Sequence, residues 1–191
     1  VCVLTGAGER AFCAGSDLKN LAGQQRAHPP HGYGGIARRF DLAKPVIAAV
    51  NGLALGGGFE VALACDIVVA AETARFGLPE PLVGAIAIGG GVHRLQRQIG
   101  LKQAMGLALS SRQVSAAEGL AMGFVNEMVP AGELQTAIER WCADILRGAP
   151  LAIAATKAMM MRSLDEPSVE AALANQADYP LFATHQANED L

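Results

Sequence analysis

The sequence has no block of lysine or arginine: 15 basic residues are scattered against 18 acidic ones, for a formal net charge of -3. That balance offers no continuous basic face to a phosphate backbone or an anionic bilayer, so neither nucleic acid nor a membrane surface is an expected partner. The four cysteines, Cys2, Cys13, Cys65 and Cys142, show no C-x-x-C spacing. Three of them stand among apolar neighbours as buried free thiols do, and a reducing, cytoplasmic setting is the simpler expectation. A clean membrane-length apolar run is also missing. Residues 52–71 come nearest, but Glu60 and Asp66 would lie near mid-span at a cost of roughly 2.5–3.5 kcal/mol each. His28 and His31 lack the third ligand that a metal site requires, and His93 beside Arg94 reads as a helix-surface residue, so no metal is expected. Nor does the chain open on an initiator Met or a signal peptide; it begins directly on an apolar run and reads as an internal fragment.

What is present is apolar and glycine-rich. With 191 residues, 51% of them hydrophobic, the chain can bury a substantial core as one domain or as a domain with a helical appendage. Val1–Thr5, Val46–Val50 and Ile67–Ala70 read as buried strands, Ile36–Leu42 as a short helix, and a further helix begins near Gly57 and runs through Phe59–Cys65. Phe76–Glu80 reads as a turn. Strand, turn, helix and strand in that order mark an α/β fold. Beyond residue 90 the pattern is mainly helical, with Gly100 as a C-cap, a capping box at Ser115–Glu118 and a short strand at Phe124–Val129. Helical stretches follow at 133–147, 150–164 and 168–178. The segment 20–35, with two prolines, two histidines and four glycines, reads as a loop over a site.

Gly6-Ala7-Gly8-Glu9-Arg10-Ala11 follows a strand and fits the dinucleotide-binding pattern. Neither the long helix nor the acidic strand end that such a site needs comes after it. Gly56-Gly57-Gly58-Phe59-Glu60 is more suggestive. Free N–H groups at a helix start favour negative charge, while Glu60, set among Phe59, Val61, Ala62 and Leu63, is either a solvent-facing helix residue or a buried, tuned acid. Glu80, after Pro79, would by itself be an ordinary turn residue. Together, close main-chain donors and two carboxyls point to proton transfer beside a carbonyl.

Three ordered motifs carry a resemblance. They are Ala11-Phe12-Cys13-Ala14-Gly15-Ser16-Asp17-Leu18-Lys19, then Asn51-Gly52-Leu53-Ala54-Leu55-Gly56-Gly57-Gly58-Phe59-Glu60, then Phe76-Gly77-Leu78-Pro79-Glu80. The chain resembles the crotonase, or enoyl-CoA hydratase/isomerase, family from its first residue into the helical tail. The resemblance implies an α/β fold, a spiral of strand-strand-helix turns over residues 1–132, with a C-terminal helical trimerisation or lid region over 133–191. It implies that the first spiral turn is absent before Val1 and that the chain stops short of the usual end. It also implies a homotrimer or a pair of trimers, and no cofactor apart from the coenzyme A of the substrate. The backbone N–H groups of Ser16 and Gly57 would hold the thioester oxygen of an acyl-CoA. Ala14, Ser16, Asp17, Leu18, Lys19 and Gly57 would line the CoA path, and Glu60 and Glu80 would hold a water and exchange protons with C2 and C3. Ala87 departs from the family pattern, which often has proline there, and leaves the acyl-pocket wall open.

Within the resemblance, hydration of a 2-enoyl-CoA is the leading expectation, because two glutamates favour it over double-bond isomerisation. Dehydration or epimerisation of a carnitinyl-type CoA ester is the close alternative, suggested by Gly77-Leu78-Pro79-Glu80 and by residues 149–157. A catalytically silent protein- or RNA-binding relative is the alternative of another class, and the acidic balance speaks against RNA. Which glutamate is acid and which is base stays open at this point.

Overall fold

The computed structural model describes residues 1–17, 29–179 and 181–182. In chain order its strands and helices are β1 (Cys2–Thr5), β2 (Ala11–Cys13), β3 (Val46–Val50), β4 (Leu53–Leu55), α1 (Gly57–Ala64), β5 (Ile67–Ala71), β6 (Arg75–Gly77), α2 (Gly91–Ile99), α3 (Leu101–Ser110), β7 (Val114–Ser115), α4 (Ala116–Met122), β8 (Glu127–Val129), α5 (Leu134–Leu146), α6 (Pro150–Ser163) and α7 (Val169–Asn175). The chain divides into two compact units. The larger holds Val3–Phe40 and Val46–Glu139; the smaller holds Val1–Cys2, Asp41–Pro45 and the described residues after Glu139.

Two four-stranded sheets, ordered β1-β3-β5-β8 and β2-β4-β6-β7, organise the larger unit. Every residue of Val46–Val50 is buried, and β3 pairs in parallel with β5 from Ile47↔Ile67 to Val50↔Ala70. A parallel strand covered on both faces is apolar throughout, which is why these two runs lack alternation. In the second sheet β4 stands between β2 and β6, parallel to both, with Leu53 opposite Ala11 on one side and Arg75 on the other. Phe59 of α1, Phe76 of β6 and Phe124 join the layers, their ring centroids 5.1–5.4 Å apart in tilted and edge-on pairs.

Several expectations need correction. β1 forms, but Cys2, Val3 and Thr5 are exposed, because this strand lies at the end of its sheet and pairs on one side. Ile36–Leu42 is not a helix. Gly32, Gly34 and Gly35 all have positive φ, and the Arg38 N–H bonds back to the His31 carbonyl at 2.9 Å instead of continuing a helical ladder. Phe76 and Gly77 belong to strand β6, not to a turn, and the strand expected from Phe124 begins only at Glu127. Of the four thiols, only Cys65 is buried.

The Ser115 capping box forms as expected: its hydroxyl accepts the Glu118 N–H at 3.2 Å, while Glu118 accepts the Ser115 N–H at 2.8 Å. Those bonds, with Arg112 at 2.9 Å, hold the Glu118 carboxyl down to about 2. In the smaller unit α6 starts with Pro150 in its first turn, and α7 is capped by Ser168, which accepts the Ala171 N–H at 3.1 Å. No helix among the described residues is long and apolar enough to cross a membrane.

Candidate active site

The site grows from the carboxyl ends of three neighbouring parallel strands, all in the larger unit. β2 runs out into Ala14-Gly15-Ser16, β4 into Gly56-Gly57 at the start of α1, and β6 into Leu78-Pro79-Glu80. Two left-handed glycines let the first two bends lie side by side. Gly15 has φ +92° and Gly56 φ +55°, and a Cβ on Gly15 would stand 3.0 Å from the Leu55 carbonyl oxygen and 3.5 Å from the Gly57 nitrogen. Gly58 is closer still, for a Cβ there would run into the Cys13 carbonyl oxygen. Ser16 and Gly57 are thereby brought together. Gly57 is the first residue of α1, so its N–H has no partner within the helix and adds to the positive end of the dipole.

Glu60 follows in the first turn of α1 and is only 4% exposed. Its Oε1 accepts the Gly91 N–H at 2.8 Å. Burial holds its carboxyl above the usual 4.5, and the Glu80 charge adds to that rise; the Gly91 and Gly89 N–H groups and the Arg94 guanidinium act the other way without cancelling it. The run Gly89-Gly90-Gly91 is the cradle for this side chain. A Cβ on Gly89 would collide with Oε2, and one on Gly91 would come within 3.1 Å of Oε1. Arg94, one turn into α2, donates to the Ala37 carbonyl at 2.8 Å and lies 5.6 Å above the Phe40 ring.

Glu80 opens a short 3-10 turn, Glu80–Val83, after Pro79. Its Oε1 lies 3.1 Å from where a Gly56 side chain would begin, so this acid faces the bend that carries Gly57. Oε2 is buried and has no hydrogen-bond partner among the described residues. Burial raises this carboxyl too, opposed only by its own backbone N–H. Among the described residues Glu60 has N–H donors from Gly89 and Gly91, which stabilise its charged form against burial, whereas Glu80 has only its own backbone N–H.

Of the residues expected to line a CoA path, Ala14, Ser16 and Asp17 are exposed on the bend after β2, while Leu18 and Lys19, like His28, lie outside the described residues. Ala87 is buried and lines an apolar pocket with Leu78, Pro81, Ile86, Val92 and Leu109. Sequence reasoning missed two contributors. One is the Gly89–Gly91 cradle, for which three consecutive glycines before a helix were the available signal. The other is Tyr33, whose hydroxyl lies 3.3 Å from Ser16 Oγ and which had no signal beyond its place in a glycine-rich loop.

The raised carboxyls have a consequence for stability. Between the unfolded value near 4.5 and the higher folded value, the native state binds more protons than the unfolded state, so stability falls as pH rises through that window. The capping carboxylate Glu118 has the opposite sign, and its contribution is lost as pH falls toward about 2. In thermal denaturation, Glu80→Gln is expected to melt above the parent at neutral pH, with the gap narrowing as pH falls through that window and closed below about pH 4. A lower melting point at neutral pH would show that the fold tolerates this charge without cost.

A family model described as enoyl-CoA hydratase/isomerase matches residues 1–190. Carnitinyl-CoA dehydratase of Proteus mirabilis (strain HI4320) is 42% identical over 173 residues, which is 89% of this chain and 66% of that protein. The chain thus spans just under two-thirds of the length of the curated relatives it matches. Among solved structures, an enoyl-CoA hydratase from Mycobacterium marinum superposes with a TM-score of 0.87 at 40% identity, over 97% of this chain and 72% of that one. A carnitinyl-CoA dehydratase from Mycobacterium avium 104 gives 0.78 at 44% identity, over 91% and 67%.

Proposed function

The chain belongs to the enoyl-CoA hydratase/isomerase family, and from that premise we propose that it catalyses reversible addition of water to the double bond of a 2-enoyl-CoA thioester. The observation that carries this reading is the delivery, by three adjacent strand ends, of the paired Ser16 and Gly57 bends and of both carboxyls to one place. The thioester oxygen accepts the Ser16 and Gly57 N–H groups. As a water oxygen attacks C3, negative charge moves onto that oxygen, so the two donors stabilise the transition state more than the ground state, by roughly 3–4 kcal/mol each. Glu60, favoured as carboxylate by its N–H donors, takes the proton from water; Glu80, favoured as acid, delivers one to C2. The exposed Ala14–Asp17 segment, with Leu18 and Lys19, lines the CoA path.

A second reading, dehydration of carnitinyl-CoA, is supported by the 42% identity to dehydratases of that name. It uses the same groups in reverse, removing a proton from C2 and water from C3. Assembly as a homotrimer or a pair of trimers belongs to the same proposal. Exposed apolar side chains on the helices of the smaller unit, among them Leu151, Met160, Val169 and Leu173, support that assembly.

The test follows the ultraviolet absorbance of the conjugated thioester, which is lost when crotonyl-CoA is hydrated and gained when carnitinyl-CoA is dehydrated. One of the two is expected to turn over at about 1–10³ per second. No change with either substrate would overturn the assignment and favour a silent binding protein.

A further inference from the structure

We infer that Tyr33 is a third donor to the acyl oxygen, and so a catalytic residue beside the two main-chain amides. The inference rests on the thioester reading above and adds a side chain to it.

The phenol reaches the site because Gly57 has no side chain. A Cβ on Gly57 would fall against Cζ and Cε1 of the Tyr33 ring and 2.6 Å from its hydroxyl oxygen. The ring therefore lies flush on the first residue of α1, and its hydroxyl stands 3.3 Å from Ser16 Oγ. Those two residues carry the proposed main-chain donors, so the hydroxyl stands beside both residues that are proposed to receive the acyl oxygen.

That hydroxyl has capacity to spare. Ser16 Oγ is its hydrogen-bond partner among the described residues, and 3.3 Å is long for a bond between hydroxyls, which usually measures about 2.7–2.8 Å. A phenol offers one donor and two acceptor positions. In that bond Ser16 Oγ donates and the phenol oxygen accepts, so the phenol's own proton is left for an oxygen that gains negative charge during the reaction.

Tyr33 is also held firmly enough to act as a preorganised donor. A Cβ on Gly34 would come within 2.6 Å of Val61 Cγ2, so the backbone after Tyr33 packs directly on α1. The Ala37 N–H bonds to the Tyr33 carbonyl at 3.1 Å, and Arg94 of α2 bonds to the Ala37 carbonyl at 2.8 Å. The turn is thus fastened to both helices that carry or cradle Glu60. A donor fixed before the reaction costs no reorganisation when charge develops.

Tyr33→Phe keeps the ring against Gly57 and removes only the hydroxyl. The variant is expected to retain the parent melting temperature and a KM within a few-fold, while kcat falls roughly 10- to 100-fold. A second readout needs no turnover. Acetoacetyl-CoA ionises to an enolate that absorbs in the near ultraviolet, and donors at the acyl oxygen make it ionise on the protein at lower pH than in free solution. With Tyr33→Phe that titration moves back toward the free ligand. Parent-like kcat together with a parent-like enolate titration would overturn the inference. Absence of any enolate band with the unmutated protein would overturn the thioester reading itself, and this role with it.

Discussion

Replacing Glu80 by glutamine is expected to lower kcat for hydration of a 2-enoyl-CoA by about 10²–10⁴-fold while leaving KM within a few-fold. Glutamine matches the shape of the acid but carries no transferable proton, so the loss falls on proton delivery to C2 rather than on binding. Oε2 of Glu80 is buried without a partner among the described residues, so its hydrogen-bonding capacity is not committed elsewhere in the fold. Glu60→Gln is expected to fall by a similar factor for the complementary reason: its amide oxygen can keep the 2.8 Å bond from Gly91, but it cannot accept a proton from water. The double variant should lose less than the product of the single losses, because acid and base act on one water and one carbon pair. Parent-like rates in both single variants would remove these side chains from the chemistry.

The second large effect is on the fold. Gly58→Ala is expected to destabilise the protein by about 3 kcal/mol, the upper end for overpacking, and to lower the melting temperature by roughly 5–10 °C. A Cβ there would enter the Cys13 carbonyl oxygen and stand 2.6 Å from its carbon and 2.9 Å from the Cys13 Cβ. Two of those three atoms are main chain, so no rotamer change relieves the clash, and β2 and α1 must part. Because β2 leads into Ser16 and α1 begins at Gly57, the same shift separates the two proposed donors. Activity should therefore fall further than the melting point alone would suggest at temperatures where the variant is still folded. An unchanged melting temperature, measured by circular dichroism, would mean that the two elements are less tightly apposed than the geometry requires.

The long or strongly patterned elements were legible in the sequence. Val46–Val50 reads as a buried strand because all five residues are apolar, α1 begins at the glycine where it was expected, and the Ser115–Glu118 box forms with both reciprocal bonds. The three strands that assemble the site were not legible, for β2, β4 and β6 have three residues each. No period can show itself in three residues, and each of these strands exists through pairing with partners about 20 to 40 positions away, such as Ala11 with Leu53 and Leu53 with Arg75. The same limit applies to Glu60. Its apolar neighbours left open a solvent-facing or a buried position, and what decides for burial is a glycine run about 30 residues later that has room for its carboxylate. The expected helix at Ile36–Leu42 failed because three nearby left-handed glycines and a backbone bond to His31 outweigh the local apolar pattern.

Gly57 and Ser16 enter the proposed chemistry through peptide nitrogen, and that changes how a mutational survey of this region would read. Exchanging Ser16 for alanine or threonine leaves its amide in place, so a scan that trims side chains would pass over the main-chain part of the anion-holding apparatus in silence. Only a change that deletes or turns the amide, such as proline at that position, would expose it.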